Sequence, residues 1–501
     1  MKFLIEPWDH QRKTIEHVLQ NCLNFFALFY EMGAGKTLTV INIYRGKCNQ
    51  DKKLLKCLVI APVVVLENWK KEFLSNSNLP NQVVHVLHGT GSKRIKLLKA
   101  QTDGVFITNT DALNMKEFWQ AIEDFGFEFL IVDESHKFKN PASKRTKKML
   151  KFAKQPQLKY RYILTGSPIL NDALDIWSQY AILNPDIFDK NFFAFRSKYF
   201  YDANGKNPFI KFPKYVMKDA AYFKDIGQDK TQEQIFEELN AVIYKHAHRV
   251  TKDEALDLPE ITYQTIEVSM SPAQARMYKE MKSSYVAFLE ELKVAKSPIE
   301  GLGIPDEQDE KAMTADLAIV RLLRLQQLVS GIFMDETGEV IRFDNERNKV
   351  LQDLVESILA DKARKNKIII WCVFKESYKI IGELLESMKV KHVFLTGDQN
   401  YKEKNQAVED FNTDPTIEVI VANQSAGGTG VNMQAGNYAV YYSRNFSLEA
   451  DLQSEARNHR GGQTRKCTRI DLVCPNTIDE QVLEALKNKQ SIADNVLKIT
   501  P

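Results

Sequence analysis

The sequence predicts an α/β protein with two parallel-sheet domains in tandem and a mainly helical insertion between them. Three observations carry this. Apolar runs of strand length alternate with longer amphipathic stretches in two separate regions, the pattern of strands buried on both faces by crossover helices. The segment between those regions has another texture, aromatic-rich and then mostly helical. The 501 residues also correspond to about three domain-sized units at roughly 150 residues each.

In the first region the expected strands are 24–30, 57–61, 105–108, 129–132 and 160–164, each bounded by Gly, Pro or polar turns. In the second they are 367–374, 391–395, 417–422, 438–443 and 468–474. The domains read as 1–185, a helical insertion at 186–260, a linker with a second helical insertion at 261–345, and 346–501. Within 186–223 the aromatics Phe188, Phe192, Phe193, Phe195, Tyr199, Phe200 and Tyr201 are irregularly spaced. They read first as a local helical core and second as a base-stacking surface. Ser297 to Pro305, followed by the acidic run Asp306 to Glu310, reads as a mobile loop.

Composition excludes several classes. Hydrophobic residues make up 44% and charged residues 27%, which argues against global disorder. Lys plus Arg exceeds Asp plus Glu by 68 − 65, a net of +3, so any nucleic-acid contact must draw on local positive charge. The longest apolar run, Cys57 to Leu66, is ten residues with Pro62 inside it, far short of a membrane span. The N-terminus turns acidic too soon for a signal peptide. Cys22, Cys48, Cys57, Cys372, Cys467 and Cys474 form no Cys-x-x-Cys pair, which disfavours a zinc ribbon or disulfide framework and fits a cytoplasmic setting.

The chemistry starts after the first strand. Glu31-Met-Gly-Ala-Gly-Lys-Thr37 precedes a helical stretch, and Gly33, Ala34 and Gly35 let backbone amides wrap a phosphate at a helix N-terminus. Lys36 would reach the β and γ phosphates of ATP, and the Thr37 hydroxyl would ligate Mg2+. Strict P-loop spacing wants a glycine where Tyr30 stands. The second signal is Phe129-Leu-Ile-Val-Asp133-Glu-Ser-His136, a buried strand ending in two acids. Asp133 suits the Mg2+ shell, and Glu134 suits the orientation and deprotonation of an attacking water.

With these strings the sequence resembles superfamily 2 helicases, and more closely the Swi/Snf-type ATPases that translocate on duplex DNA. Pro7-Trp-Asp-His-Gln11 is similar to that family's opening segment, which implies that Gln11 reads adenine. Leu58 to Pro62 followed by Glu67-Asn-Trp69-Lys-Lys-Glu-Phe73 resembles motif Ia, and Ile107-Thr-Asn-Thr110 resembles motif Ib. In motif II, Ser135 stands where the family usually has Ala or Gly. Leu164-Thr-Gly-Ser-Pro168-Ile-Leu-Asn171 resembles motif III, and Arg249 to Lys252 before Leu258-Pro259 resembles a stretch between the lobes. Ser425 to Gly430 with Val431-Asn432 resembles motif V, and Gln453 to Gln463 resembles motif VI, with Ser454 in place of alanine. Ser443 to Phe446 replaces a run that the family usually carries. The resemblance implies two RecA-like lobes, a compact bacterial or phage form, and roles at the nucleotide for Gly430 and Gln463.

Arg457 and Arg460 are three apart, so on a helix they would share one face, with Gly461-Gly462 ending it. Guanidiniums match the charge that develops on a transferred phosphoryl group. The expected cycle is closure on ATP, arrival of these arginines, then reopening after hydrolysis. Lys137, Lys139, Lys144, Arg145, Lys147, Lys148, Lys151 and Lys154 make the stretch after motif II locally basic, read mainly as a solvated face. The resemblance singles out Thr108, Thr110, Lys139 and Asn432 as contacts to nucleic-acid phosphates. The expectation is a monomeric motor on double-stranded DNA, sequence-independent and salt-sensitive. A strand-separating helicase and an ATP-gated clamp without turnover stay open as alternatives.

Overall fold

The computed structural model describes residues 3–189, 191–205, 213–294, 320–334, 339–424 and 431–498. It divides into two compact units, 1–257 with 488–501, and 258–487. The first contains strands β1 (Phe25–Tyr30), β2 (Cys57–Ala61), β3 (Val84–Val86), β4 (Val105–Asn109), β5 (Phe129–Asp133) and β6 (Tyr160–Leu164). A hairpin of β7 (Phe200–Asp202) and β8 (Tyr215–Met217) follows, then β9 (Ala247–Val250). The second contains β10 (Ile261–Glu267), the hairpin β11 (Ile332–Met334) and β12 (Val340–Arg342), then β13 (Ile368–Cys372), β14 (His392–Leu395), β15 (Val419–Asn423), β16 (Tyr438–Tyr441) and β17 (Cys467–Val473).

The first sheet has the order β3-β4-β2-β5-β6-β1-β9, and every pairing in it is parallel. Alternation along its central strands explains why both faces are covered. Leu58, Ile60, Phe106, Leu130 and Val132 point into one apolar core, while Val59, Val105, Ile107, Phe129 and Ile131 point into the other. Each such side chain is worth about 1.5–3 kcal/mol when fully buried, so neither face can be left to solvent. Parallel strands also need crossovers, supplied by helices such as Lys36–Asp51 and Leu66–Asn76.

The second sheet is likewise wholly parallel, in the order β10-β17-β16-β13-β15-β14. Its centre is β13, whose five residues Ile-Ile-Ile-Trp-Cys are all buried. Two parallel sheets with helices on their faces are the fold class that the alternating runs predict. Strands β3, β9 and β10 were not expected. All three lie at sheet edges, where one side lacks a neighbour, so their sequences mix polar with apolar residues. In β10 most residues are partly or fully exposed, and no apolar run marks it.

The aromatic segment is sorted by packing. Phe188, Phe195, Tyr199 and Phe200 join the core of the first unit with Tyr180, Leu239 and Ile243. Phe193 is 65% exposed instead. The chain end also packs into this unit: Val496 and Leu497 are buried in the same core. The Tyr244 hydroxyl and Arg249 Nη1 donate to the Leu497 carbonyl at 2.6 and 2.7 Å. The loop expected at Ser297 to Glu310 lies outside the described residues. Among the described residues no helix is long and apolar enough to cross a membrane.

Candidate active site

Three neighbouring strands of the first sheet, β5, β6 and β1, present their carboxyl ends side by side. That is where open parallel sheets place their ligand crevice, because the loops there run from strand to helix N-terminus. After β1, Gly33 and Gly35 adopt φ of +91° and +79°, left-handed backbone that a side chain disfavours. At Gly35 a Cβ would lie 1.9 Å from Gln11 Nε2, so a side chain there would displace the glutamine amide. The loop opens directly into the helix Lys36–Asp51. Ala34 is buried, and its carbonyl lies 2.9 Å from His10 Nε2. Thr37 follows Lys36 in the first helical turn and is half-buried. Lys36 Nζ donates to the Tyr30 carbonyl at 2.8 Å, which places the ammonium inside the loop's curve.

Gln11 is 1% exposed, and both ends of its amide are taken. Nε2 donates to the Gly35 carbonyl at 3.1 Å, while Oε1 accepts from Trp8 N–H at 2.8 Å. Its amide thus braces the phosphate loop. Tyr30, the residue at odds with strict P-loop spacing, is buried beneath the loop. Its hydroxyl donates to Thr14 Oγ1 at 2.5 Å, and Thr14 in turn bonds the His248 ring. Burial pushes the phenol well above its usual range, so it stays neutral.

At the end of β5, Asp133 accepts from Trp69 Nε1 at 2.9 Å and from the Glu134 N–H at 3.0 Å. Burial and the neighbouring Glu134 carboxylate push its pKa up to about 6, while Lys36 pulls it down. Glu134 has φ +48° and ψ +54°, a left-handed conformation unusual for a residue with a side chain. Such strain costs of order 1–3 kcal/mol and persists only where surrounding structure enforces it. Here the enforcement is visible. His136 Nδ1 lies 3.3 Å from Glu134 Oε2 and 3.0 Å from Thr165 Oγ1 in the loop after β6. Ser135 Oγ donates to Gln179 Oε1 at 2.8 Å, and Gln179 Nε2 donates to the Pro168 carbonyl at 2.6 Å. The acids are therefore wired to the Thr165–Pro168 loop through two separate hydrogen-bond paths.

Sequence reading missed Trp69, Thr165, Gln179 and Asp175 as parts of this arrangement. Trp69 lay within a quoted motif, but nothing local marks its indole as a partner of a strand 64 residues away. Asp175 accepts from the Leu170 and Asn171 amides at 3.0 and 2.8 Å and shapes the turn after Pro168. Beside it, burial and Asp175 push the Asp172 carboxyl up to about 6.

In the second unit the expectation of a shared helical face for Arg457 and Arg460 fails. The helix is Leu448–Glu455, and the backbone leaves it at Ala456 with ψ +4°. The physical reason is tertiary capture of the carbonyls that a longer helix would use. The Met433 N–H donates to the Arg457 carbonyl at 3.0 Å, and Gln463 Nε2 donates to the Asn458 carbonyl at 3.1 Å. Arg457 is 5% exposed, with Nη1 donating to the Val431 carbonyl at 3.1 Å. Arg460 is half-buried, and that burial lowers its guanidinium pKa. Gln463 also donates to the Gln434 and Gly436 carbonyls, at 2.9 and 3.2 Å. With all these partners and 6% exposure, it pins the segment together from inside.

The four residues singled out for phosphate contacts sit differently from one another. Thr108 is fully buried, donating to the Leu87 carbonyl at 3.2 Å and accepting from Arg94 at 3.1 Å. Its hydroxyl faces the interior, because β4 is covered on both faces. Thr110 is 6% exposed and begins the short 3-10 turn Thr110–Asn114. Lys139 lies at the surface with Nζ 3.8 Å from Asp175 Oδ2. Asn432 is half-buried and turns on itself, its side chain bonding Gln434. Gly430 and the rest of Ser425 to Gly430 lie outside the described residues.

The family model of the SNF2-related domain matches residues 10–316, and that of the helicase conserved C-terminal domain matches 346–462. An uncharacterized ATP-dependent helicase of Mycoplasma genitalium is 24% identical over 468 residues, covering 93% of this chain and 40% of that protein. Chromatin structure-remodeling complex subunit snf21 of Schizosaccharomyces pombe is 25% identical over 487 residues, covering 93% of this chain and 37% of that protein. The chain spans about two fifths of the length of these curated relatives. The solved SWI2/SNF2 ATPase core of Sulfolobus solfataricus in complex with dsDNA aligns with 99% of this chain and 95% of that chain, at 25% identity and a TM-score of 0.41. The SNF2-related domain spans more than half of the sequence, and the chain belongs to that family.

Proposed function

We propose that the chain is an ATP-hydrolysing motor that moves along double-stranded DNA without reading its sequence. The observation that carries this is the meeting of the phosphate loop, the Asp133–Glu134 pair and the Thr165–Pro168 loop at adjacent strand ends. The donor set fits a magnesium nucleotide. Two carboxylates placed together, one of them holding its proton unusually tightly, gain from a nearby cation. Among the described residues no group of three or more His, Cys, Asp or Glu could hold a metal by itself. Mg2+ normally takes one or two carboxylates and completes its shell with phosphate oxygens and water. Thr37 and Asp133 are the protein's share. When bound, the ion neutralises charge on the transferred phosphoryl group.

The remaining roles belong to this chain's own groups. Gly33, Ala34 and Gly35 present amides to the phosphates, and Lys36 exchanges the Tyr30 carbonyl for phosphate oxygens. Gln11 exchanges its bonds to Gly35 and Trp8 for an adenine edge when the nucleotide arrives. Glu134 accepts the proton of the attacking water, and His136 holds its carboxylate in position. Arg457 and Arg460 meet the charge that develops during transfer. The paths His136–Thr165 and Ser135–Gln179–Pro168 report the state of the nucleotide to the loop after β6. Thr110, Lys139 and Asn432 contact phosphates of the duplex, and inside the first unit Arg94 ties Thr108 to Asn109 beside Thr110.

The test is ATP turnover with no nucleic acid, with duplex DNA, with single strands and with RNA, using Lys36→Ala and Glu134→Gln as controls. The motor reading expects stimulation by duplex that weakens as salt rises from about 50 to 200 mM. Stimulation by single strands or RNA alone would overturn it. No turnover under any condition would favour the ATP-gated clamp. Triplex displacement set against fork unwinding then separates tracking from strand separation.

A further inference from the structure

The helix Phe192–Tyr199 and the hairpin β7–β8 carry a feature that the ATP site does not use. Phe193 and Arg196 are three apart in this helix and share a face. Phe193 is 65% exposed although its neighbours Phe195 and Tyr199 are buried. The Arg196 guanidinium lies 3.9 Å from the ring centre of Tyr215 on β8, and 5.1 and 5.7 Å from those of Phe193 and Phe192. Such cation–aromatic contacts restrain the guanidinium beside an open aromatic ring. Lys198 and Lys214 stand exposed on the same two elements.

Charge singles out the same place. Among the described residues of 191–218 there are four Lys or Arg (Arg196, Lys198, Lys214 and Lys218) and one acid, Asp202, whereas the whole 501-residue chain has a net charge of only +3. Asp202 is occupied internally, its Oδ1 accepting from the Asn204 and Lys214 amides. An exposed ring, a guanidinium held among aromatic rings and the exposed Lys214 are the ingredients of a stacking platform with phosphate contacts. A duplex hides the faces of its bases, so such a platform fits unpaired nucleotides.

We propose that Phe193, Arg196 and Tyr215 form a binding site for single-stranded nucleic acid, with bases stacking on Phe193 beside the Arg196 guanidinium and phosphates meeting Lys214. This rests on the motor reading only for its use, which is to hold single-stranded stretches that adjoin the tracked duplex. Binding itself needs no ATP.

The experiment measures anisotropy of labelled dT20, rU20 and an abasic strand of equal length, each without nucleotide, on the full chain and on Phe193→Ala and Arg196→Ala. Phe193 is exposed, so its truncation leaves folding intact. Phe193→Ala is expected to weaken binding of dT20, rU20 or both by about tenfold, with the arm that responds naming the sugar. It should leave the abasic strand and duplex-stimulated ATP turnover unchanged. In addition, a 5-iodouracil strand should photocrosslink to peptides within 191–199 or 213–218. Equal affinity for dT20, rU20 and the abasic strand, no effect of Phe193→Ala on any strand, or crosslinks confined elsewhere would each overturn the proposal. Failure of the motor reading shows separately, as absent turnover with these binding results intact.

Discussion

In the first unit Asp133 is the last residue of β5 and Lys36 follows the loop after β1, and their positions are set by a sheet whose central residues are buried on both faces. In the second unit Arg457 and Arg460 sit on a segment that has left its helix, held by Met433, Val431 and Gln463. The comparison teaches that one site is positioned by strand ends and the other by hydrogen bonds from distant residues. It also gives the two sites different weaknesses. Strand-end chemistry is lost when the reacting group changes, whereas the second segment is also lost when its internal pins change.

The sharpest test of the second unit is Arg460→Ala. Turnover with duplex DNA should fall by about 10³–10⁵, corresponding to about 4–7 kcal/mol of barrier, with nucleotide affinity nearly intact. Phosphate-release kinetics beside equilibrium binding of a fluorescent nucleotide would check it, and an unchanged kcat would remove the arginine from the chemistry. On the strand-end side, Glu134→Gln should lower kcat by about 10²–10⁴ without loss of nucleotide binding. If turnover survives that change, the base lies elsewhere.

A smaller effect follows from the raised Asp133 pKa of about 6, against an ordinary 3.8. Between about pH 4 and 6 the folded chain keeps a proton that the unfolded chain has released, so ion-free stability falls as pH rises through that window. Asp133→Asn should therefore stabilise the metal-free protein at neutral pH and flatten that slope, as urea midpoints between pH 4 and 7 would record. A variant with the wild-type slope would assign the buried charge to another group.

The mildest prediction concerns the pins. Gln463→Leu strips donors from buried carbonyls of Gln434, Gly436 and Asn458. It should destabilise the second unit by about 1–3 kcal/mol. Residual turnover, measured where the variant remains folded, should stay within about tenfold of wild type. A loss as deep as that of Arg460→Ala would make Gln463 a participant in the reaction, and the contrast between the two units would narrow.

Much of the architecture is written locally. Runs such as Leu-Ile-Val before Asp133 and Ile-Ile-Ile-Trp at 368–371 can only be strands covered on both faces, and the glycine spacing at Gly33 and Gly35 announces a phosphate loop. Those signals have a short period, and their cause lies within a few residues of each mark. Other features depend on partners remote in sequence. Edge strands β3, β9 and β10 form because a neighbour offers hydrogen bonds, whatever their own polarity. Gln11 turns its amide to Gly35, Thr108 turns its hydroxyl inward to Leu87, and the helix before Arg457 stops early. The chain end at 488–498 returns to the first unit, where Tyr244 and Arg249 bind its last turn. In each of these cases a buried polar group must find a partner, and only the packed chain decides which distant residue supplies it.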